Sequence, residues 1–289
     1  MEIQTLGLFV NPAKAESGPL IPRVVAACSA AGITLLAEPA VHVAREATLS
    51  IEEMLRASDA VLVLGGDGTI LRAIGCMGEY LRPVLGVNLG TLGFLAECMP
   101  QELEESIRRL AAGKFWLEER MLLHARLEGE TEIFTALNDV VITRGSFSRM
   151  IHADVYVDGA LAARYEADGT ILSSPTGSTA YALSAGGPVI APNLDCFITT
   201  SICPHTLSSR PLVVSATSRV RVELTPRGED GGMLLTVDGA QHRVLREKAV
   251  LHLRRSERTL PFVRFGEDQF FALLRGKLSK WGGAMMQDE

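Results

Sequence analysis

The amino-acid sequence predicts two domains: an α/β N-terminal domain built on an open sheet, and a mostly-β C-terminal domain. Three observations predict this. The first third of the chain alternates short apolar runs with helical patterns, the sequence form of a parallel sheet covered by helices. After Lys114 the texture changes to short β-type segments separated by turn pairs, which indicates a sandwich or stacked sheets. The 289 residues, at roughly 150 per domain, suffice for two independent cores.

The elements follow in order. Residues 6–10 read as a strand ending at the turn pair Asn11-Pro12, 21–31 as a helix stopped by Gly32, and 33–36 as the next strand. The near-continuous apolar runs 60–64 and 84–87 suit strands buried on both faces. Residues 102–112 form a helix, with Pro100 near its start, acidic residues in its first turn, arginines late and Gly113 just past its end. Further on, strands at 121–127, 151–157, 219–224 and 233–237 run into Glu128-Gly129, Asp158-Gly159, Pro226-Arg227-Gly228 and Asp238-Gly239. Residues 261–281 regain helical composition. The expected domains are therefore 1–114 and 115–260, with the tail 261–289 packing back on the first.

Composition narrows the function. With 47% hydrophobic and 21% charged residues the chain is globular rather than disordered or fibrous. Against 34 acidic side chains stand 28 basic ones, a formal net charge of −6 that argues against nonspecific attraction to nucleic acid or to an anionic membrane. Any phosphate chemistry must be local. The five cysteines, Cys28, Cys76, Cys98, Cys196 and Cys203, are scattered and never form CxxC, so neither a disulfide framework nor a zinc site is expected, and a reducing, cytoplasmic setting is. The start of the chain carries no signal-peptide pattern. The charge-free stretch 169–194 contains glycines, prolines and many hydroxyls, and reads as a loop-rich site rather than a membrane span. The histidines, His205 among them, show no metal-ligand spacing.

Four constellations carry chemistry. Gly65-Gly66-Asp67-Gly68-Thr69 follows a buried strand and precedes a helical pattern beginning near Ile70. Glycines there let the backbone approach a ligand, and the amides at the helix start favour an anion. It is neither a Walker loop nor a full GxGxxG. An acid in such a turn opposes an anionic ligand, so general-base or metal duty is implied for Asp67. Gly86-Val87-Asn88-Leu89-Gly90-Thr91-Leu92-Gly93-Phe94 repeats the strand-then-glycine pattern, and in an open α/β sheet ligands bind outside the carboxyl ends of the strands. Asn138-Asp139 interrupts the apolar run 136–143, which implies a turn or a ligand. The segment from Ala167-Asp168-Gly169 through Ser173-Ser174-Pro175-Thr176-Gly177-Ser178-Thr179-Ala180-Tyr181 to Gly187-Pro188 gathers hydroxyls, an aromatic ring and an acid, as a surface for a polyhydroxyl, ring-containing ligand would.

GGDGT, GVNLGTLGFL, LNDVVITRG, DGTILSSPTGSTAYALSAGGP, PHTLSSRPLV and TVDG, in this order between residues 64 and 239, resemble the NAD kinase family, which phosphorylates NAD to NADP. GGDGT alone also fits diacylglycerol-type lipid kinases; PTGSTAY decides against them. The resemblance implies an NAD kinase-like two-domain fold, the active site between the domains, ATP (or polyphosphate) and NAD as substrates, Mg²⁺ as metal cofactor, and a homodimer or homotetramer. It makes Asp67 the proton acceptor for the 2′-hydroxyl of the adenosine ribose, with Gly68 on the same nucleoside. Asn138 and Asp139 would hold NAD, and Asp168 would contact the dinucleotide. Thr179, Ala180, Tyr181, Ala182, Leu183 and Ser184 would line its rings. Asp238 and Gln241 would complete the nucleotide site, with Arg72 and Arg149 on phosphates. The chain departs from the family pattern at Ala167, where glycine is frequent, at Glu166, where some relatives are basic, and at Asp238-Gly239-Ala240-Gln241, one residue longer than the usual DGQ. A noncatalytic dinucleotide-binding regulator is the rival from another class; it has no need of an acid inside an intact GGDGT.

Overall fold

The computed structural model describes residues 2–11, 18–38, 49–90, 93–145, 150–206, 209–227, 232–266 and 270–281. Pro12, Thr91, Leu92, Arg149, Leu207, Ser208 and Gly228 lie outside them, as does the side chain of Gln241. The chain divides into two compact units, Met1–Glu118 with Pro261–Glu289, and Glu119–Leu260. Among the described residues no helix is long and apolar enough to cross a membrane.

The first unit runs β1 (Thr5–Val10), α1 (Leu20–Ala31), β2 (Thr34–Ala37), α2 (Ile51–Ala57), β3 (Ala60–Leu64), α3 (Asp67–Met77), β4 (Val84–Val87) and α4 (Leu103–Ala111). The strands pair in parallel in the order β2-β1-β3-β4, the open α/β sheet expected of alternating apolar runs. All five residues of β3 are fully buried, which is why that run carries no polar alternation. Gly32 ends α1 at φ 72°, and Gly113 follows α4 at φ 64°, both in the left-handed region that favours glycine. One helix, α2, is absent from the sequence reading. It is fixed by a capping box in which the Ser50 hydroxyl accepts from the Glu53 amide and the Glu53 carboxylate accepts from the Ser50 amide.

The second unit carries β5 (Trp116–Leu127, which begins in the first unit), β6 (Phe134–Ala136), β7 (Asp139–Arg144), β8 (Ile151–Val157), β9 (Ala160–Ala167) and β10 (Gly169–Ser173). After a 3₁₀ turn at Thr176–Thr179 and the single-turn α5 (Tyr181–Ser184) come β11 (Cys196–Ile202), β12 (Leu212–Ser215), β13 (Val220–Pro226), β14 (Met233–Val237), β15 (Gln241–Leu245) and β16 (Ala249–Arg264). One sheet has the order β16-β13-β8-β9, with β5 paired to β16 and β6 to β5. The other has the order β12-β11-β10-β7-β14-β15. Between them lies an apolar core drawn from both, including Leu123, Val140, Leu172, Phe197, Val222 and Leu251. The hairpins β8–β9 and β14–β15 turn on Asp158-Gly159 (φ 50° and 86°) and Asp238-Gly239 (φ 48° and 69°). Positive φ at both central residues matches the right-handed twist of the flanking strands.

One sequence expectation is corrected. Residues 261–264, assigned to a helical tail, are the end of the sixteen-residue strand β16, where Phe262 pairs in parallel with Val84; the helix α6 (Phe270–Trp281) starts later. Long-range pairing, invisible to local composition, sets that strand. The polar pair in the run 136–143 does mark a turn: β6 pairs with β5, and β7 with β10 and β14, so Leu137-Asn138 is the corner where the chain passes from one sheet to the other.

Candidate functional site

In the first unit, β3 delivers the chain into Gly65-Gly66, and α3 begins at Asp67 with Gly66 as its extended cap. Gly65 is required by packing, since a Cβ there would lie 2.3 Å from the Thr69 hydroxyl oxygen. Asp67 is half-buried, and its carboxylate is held by the second glycine turn: Oδ2 accepts from the Phe94 amide at 2.9 Å and Oδ1 from the Leu95 amide at 3.2 Å. Gly93 makes this approach possible, because a Cβ at that residue would sit 1.8 Å from Asp67 Oδ1. The two glycine turns singled out in the sequence therefore form one local structure centred on a carboxylate. Asn88 lies beside it, fully buried, with its Nδ2 donating to the Gly90 carbonyl at 2.6 Å. Its Oδ1 is buried without a hydrogen-bond partner, 3.8 Å from where a Cβ on Gly66 would stand. Gly68 is exposed on the first turn of α3. Arg72 is exposed five residues beyond Asp67, about 140° round the helix, and its charge bears on Glu38.

The second unit holds a second cluster around the corner at Asn138. The Asp238 carboxylate accepts from the amides of Leu137 (2.8 Å), Asn138 (2.8 Å) and Asp139 (3.0 Å). On the other side, the Asn138 carbonyl accepts from the Ser174 amide at 2.9 Å and the Ser173 hydroxyl at 3.1 Å, and the Leu137 carbonyl accepts from the Ser174 hydroxyl. Gly177 packs so closely that a Cβ would lie 2.2 Å from the Asn138 carbonyl oxygen. With its backbone saturated, the corner presents its side chains. Asn138 is 8% exposed and its Oδ1 has no partner; Asp139 is 5% exposed. Burial, and then the charge of Asp238, push the Asp139 carboxyl up to about 7. Burial also raises Asp238, against the three amides that favour its charged form. A carboxyl poised near neutrality can give or take a proton in the physiological range.

The remaining sequence candidates are dispersed. Asp168 stands between β9 and β10, ion-paired with Arg144 at 2.7 Å. Thr179 donates its hydroxyl to the Thr176 carbonyl, Ala180 caps that turn, and Ala182 is buried against Val141 and Ile171. Leu183 is half-buried, while Tyr181 and Ser184 are exposed on α5. Arg120 was missed by the sequence reading. It is 4% exposed in β5, and its guanidinium donates to the Thr176 hydroxyl at 3.3 Å. No local pattern distinguishes it from the neighbouring solvated charges of its strand.

The chain is similar to proteins of one family. The profile described as the ATP-NAD kinase N-terminal domain matches residues 6–115, and that of the ATP-NAD kinase C-terminal domain matches residues 137–265. An NAD kinase of Moorella thermoacetica is 45% identical over 240 residues, 82% of this chain and 76% of that protein. One of Geotalea daltonii is 40% identical over 258 residues, 88% of this chain and 90% of that protein. The solved NAD kinase of Archaeoglobus fulgidus in complex with ATP has a TM-score of 0.75 at 26% identity, covering 95% of this chain and 98% of that one. Yeast NADH kinase complexed with NADH has a TM-score of 0.87 at 23% identity, covering 100% and 89%, a likeness of fold. With both profiles matched in sequence order and identity above 40% across most of its length, the chain belongs to the ATP-NAD kinase family.

Proposed function

We propose that this protein is an NAD kinase that transfers the terminal phosphate of ATP to the 2′-hydroxyl of the adenosine ribose of NAD, with Asp67 as the proton acceptor. The observation that supports it most directly is the Asp67 carboxylate at a strand exit, oriented by two backbone amides, in a chain of this family. Family membership favours this reading over a lipid kinase or a noncatalytic regulator.

Phosphoryl transfer asks the protein mainly for positioning and charge neutralisation. The two amides fix the direction of the Asp67 oxygens, and a base so aimed contributes typically ~10²–10⁴-fold. Asn138 and Asp139, held by their saturated backbone, would hold NAD. Asp168 and the 179–184 segment with Tyr181 stand as further contacts for the dinucleotide, while Asp238 orders the corner that presents Asn138 and Asp139; Arg72, Arg149 and Gln241 remain candidates on sequence grounds. Among the described residues no cluster of three or more acidic, His or Cys side chains holds a metal by itself. The orphaned Asn88 oxygen fits Mg²⁺ as one protein oxygen, with phosphates and water to complete the shell. When bound it would neutralise charge on the donor phosphates. The reading extends to a cytoplasmic homodimer or homotetramer.

The test is Asp67→Asn, assayed for NADP formed from NAD, ATP and Mg²⁺. Turnover is expected to fall by roughly 10²–10⁴-fold with the fold retained; turnover like that of the unaltered protein rejects the assignment. The raised Asp139 favours one second reading, in which that carboxyl is the base. Asp139→Asn losing turnover while Asp67→Asn keeps it would transfer the role.

A further inference from the structure

The outer face of the sheet in the second unit has no part in this chemistry, and it is not neutral. Along β5, His124 and Arg126 point away from the core, alternating with buried Leu123, Ala125 and Leu127. On β16, His252 and Arg254 do the same between Leu251 and Leu253, and on β13 Arg221 faces out beside buried Val220 and Val222. Arg221 is directly opposite His252 across the strand pair. These side chains, with Arg219 and a wall formed by Thr131 and Ile133, line a cleft of about 550 Å³, within the usual range for a small-molecule site.

The charge in this cleft is only partly answered. Arg221 is paired with Glu223 and lies 4.1 Å over the ring of Tyr156, and His252 is 3.4 Å from Glu128. Among the described residues no carboxylate pairs with Arg126 or Arg254. At the base, His124 Nδ1 is buried without a hydrogen-bond partner. In a chain whose formal net charge is −6, four guanidiniums, two of them without a carboxylate partner among the described residues, and an unsatisfied imidazole nitrogen gathered in one concavity make a local field of opposite sign. Arginine forks suit phosphate oxygens in particular.

We propose that this cleft binds an anion carrying a chain of two or more phosphates, at a site separate from the residues assigned to phosphoryl transfer. Arg126 and Arg254 grip the phosphate oxygens and His124 Nδ1 supplies a further hydrogen bond at the base.

The experiment uses the full chain and tripolyphosphate as the probe, with calorimetric titration against potassium sulfate at matched ionic strength. The unaltered protein is expected to need two classes of site to fit the isotherm. Arg126→Gln combined with Arg254→Gln should lose one class, its affinity falling by about tenfold or more, while NADP formation without tripolyphosphate stays unchanged. Arg254→Lys on its own should retain part of the binding, because the charge persists. Competing ATP separates the two sources of this chemistry: displacement from the arginine-dependent class means a nucleotide fits, and no displacement means a bare phosphate chain. Identical isotherms for the native and doubly substituted proteins, or a loss reproduced by sulfate alone, overturn the proposal. Failure of the NAD kinase assay with the arginine-dependent binding intact would count against the catalytic reading only.

Discussion

The glycine at residue 93 gives a sharp test of how the Asp67 carboxylate is aimed. Gly93→Ala places a methyl group 1.8 Å from Oδ1, 2.2 Å from Cγ and 2.4 Å from Oδ2 of Asp67. An ordinary non-bonded contact needs about 3.5 Å, so the carboxylate or the turn must shift by more than an ångström. Asp67 is the more movable partner, and moving it breaks the hydrogen bonds from the Phe94 and Leu95 amides. Hydrogen bonds to a charged group contribute about 1.5–3 kcal/mol each. Because the site is half-exposed, water replaces part of that, and a net loss of about 1–3 kcal/mol in unfolding free energy follows. Activity should suffer more than stability, since a misplacement of about 1 Å costs on the order of 10²-fold in rate. The assay compares kcat for NADP formation with that of Gly90→Ala, where an added Cβ meets nothing within 4 Å. A Gly93→Ala protein whose kcat matches the control within twofold would refute the account of how Asp67 is aimed.

Asp238→Ala strips the acceptor from three amides at 137–139 and is expected to lower stability by about 3–5 kcal/mol, measured as a shift in urea midpoint. Asp238→Asn keeps one acceptor oxygen and tolerates positive φ, so it should cost only about 1–2 kcal/mol; equal losses for the two would show that the carboxylate does not organise the corner. Asp139 predicts a pH dependence. Its carboxyl keeps a proton to about pH 7 in the fold, against 3.8 for the ordinary group, so between those values the folded chain binds a proton that the unfolded chain has released. Stability from this group is therefore fully present below about pH 4 and is lost as the pH rises through 7. A shift of about three units bounds the effect at about 4 kcal/mol. The stabilisation by Asp139→Asn should grow from near zero at pH 4 to its largest value at pH 8, and a pH-independent difference between the two proteins would remove Asp139 as the source.

Much of the fold was legible because its signals are local. The apolar runs of β3 and β4 need no alternation when both faces are buried, and they coincide with the strands residue for residue. The pairs Asp158-Gly159 and Asp238-Gly239 name their turns through positive φ. Helix α2 also has a local signal, the Ser50 and Glu53 of a capping box three residues apart. What escaped was decided at a distance. Residues 261–264 show no strand periodicity; they are extended because Val84 offers an unpaired edge some 180 residues earlier.

The candidate site divides along the same line. Residue types were visible in the sequence: an acid in a glycine turn, a polar pair in an apolar run, and a hydroxyl-rich segment. Their use was not, because it depends on which backbone each meets. Asp238 shows the difference. Read as a ligand contact, it occupies a hairpin turn and directs its carboxylate to the amides of 137–139, a hundred residues away in sequence. Ser173 and Ser174, read as part of a sugar-binding surface, are fully buried and hold the carbonyls of that corner. The polar residues nearest the corner thus spend their hydrogen bonds on its backbone, which leaves the Asn138 side-chain oxygen without a partner and the Asp139 carboxyl buried beside it. A polar pair crossing between two sheets would otherwise cost several kcal/mol in unmet hydrogen bonds. Here what stays unmet is a side-chain oxygen, and that is a group a ligand can complete.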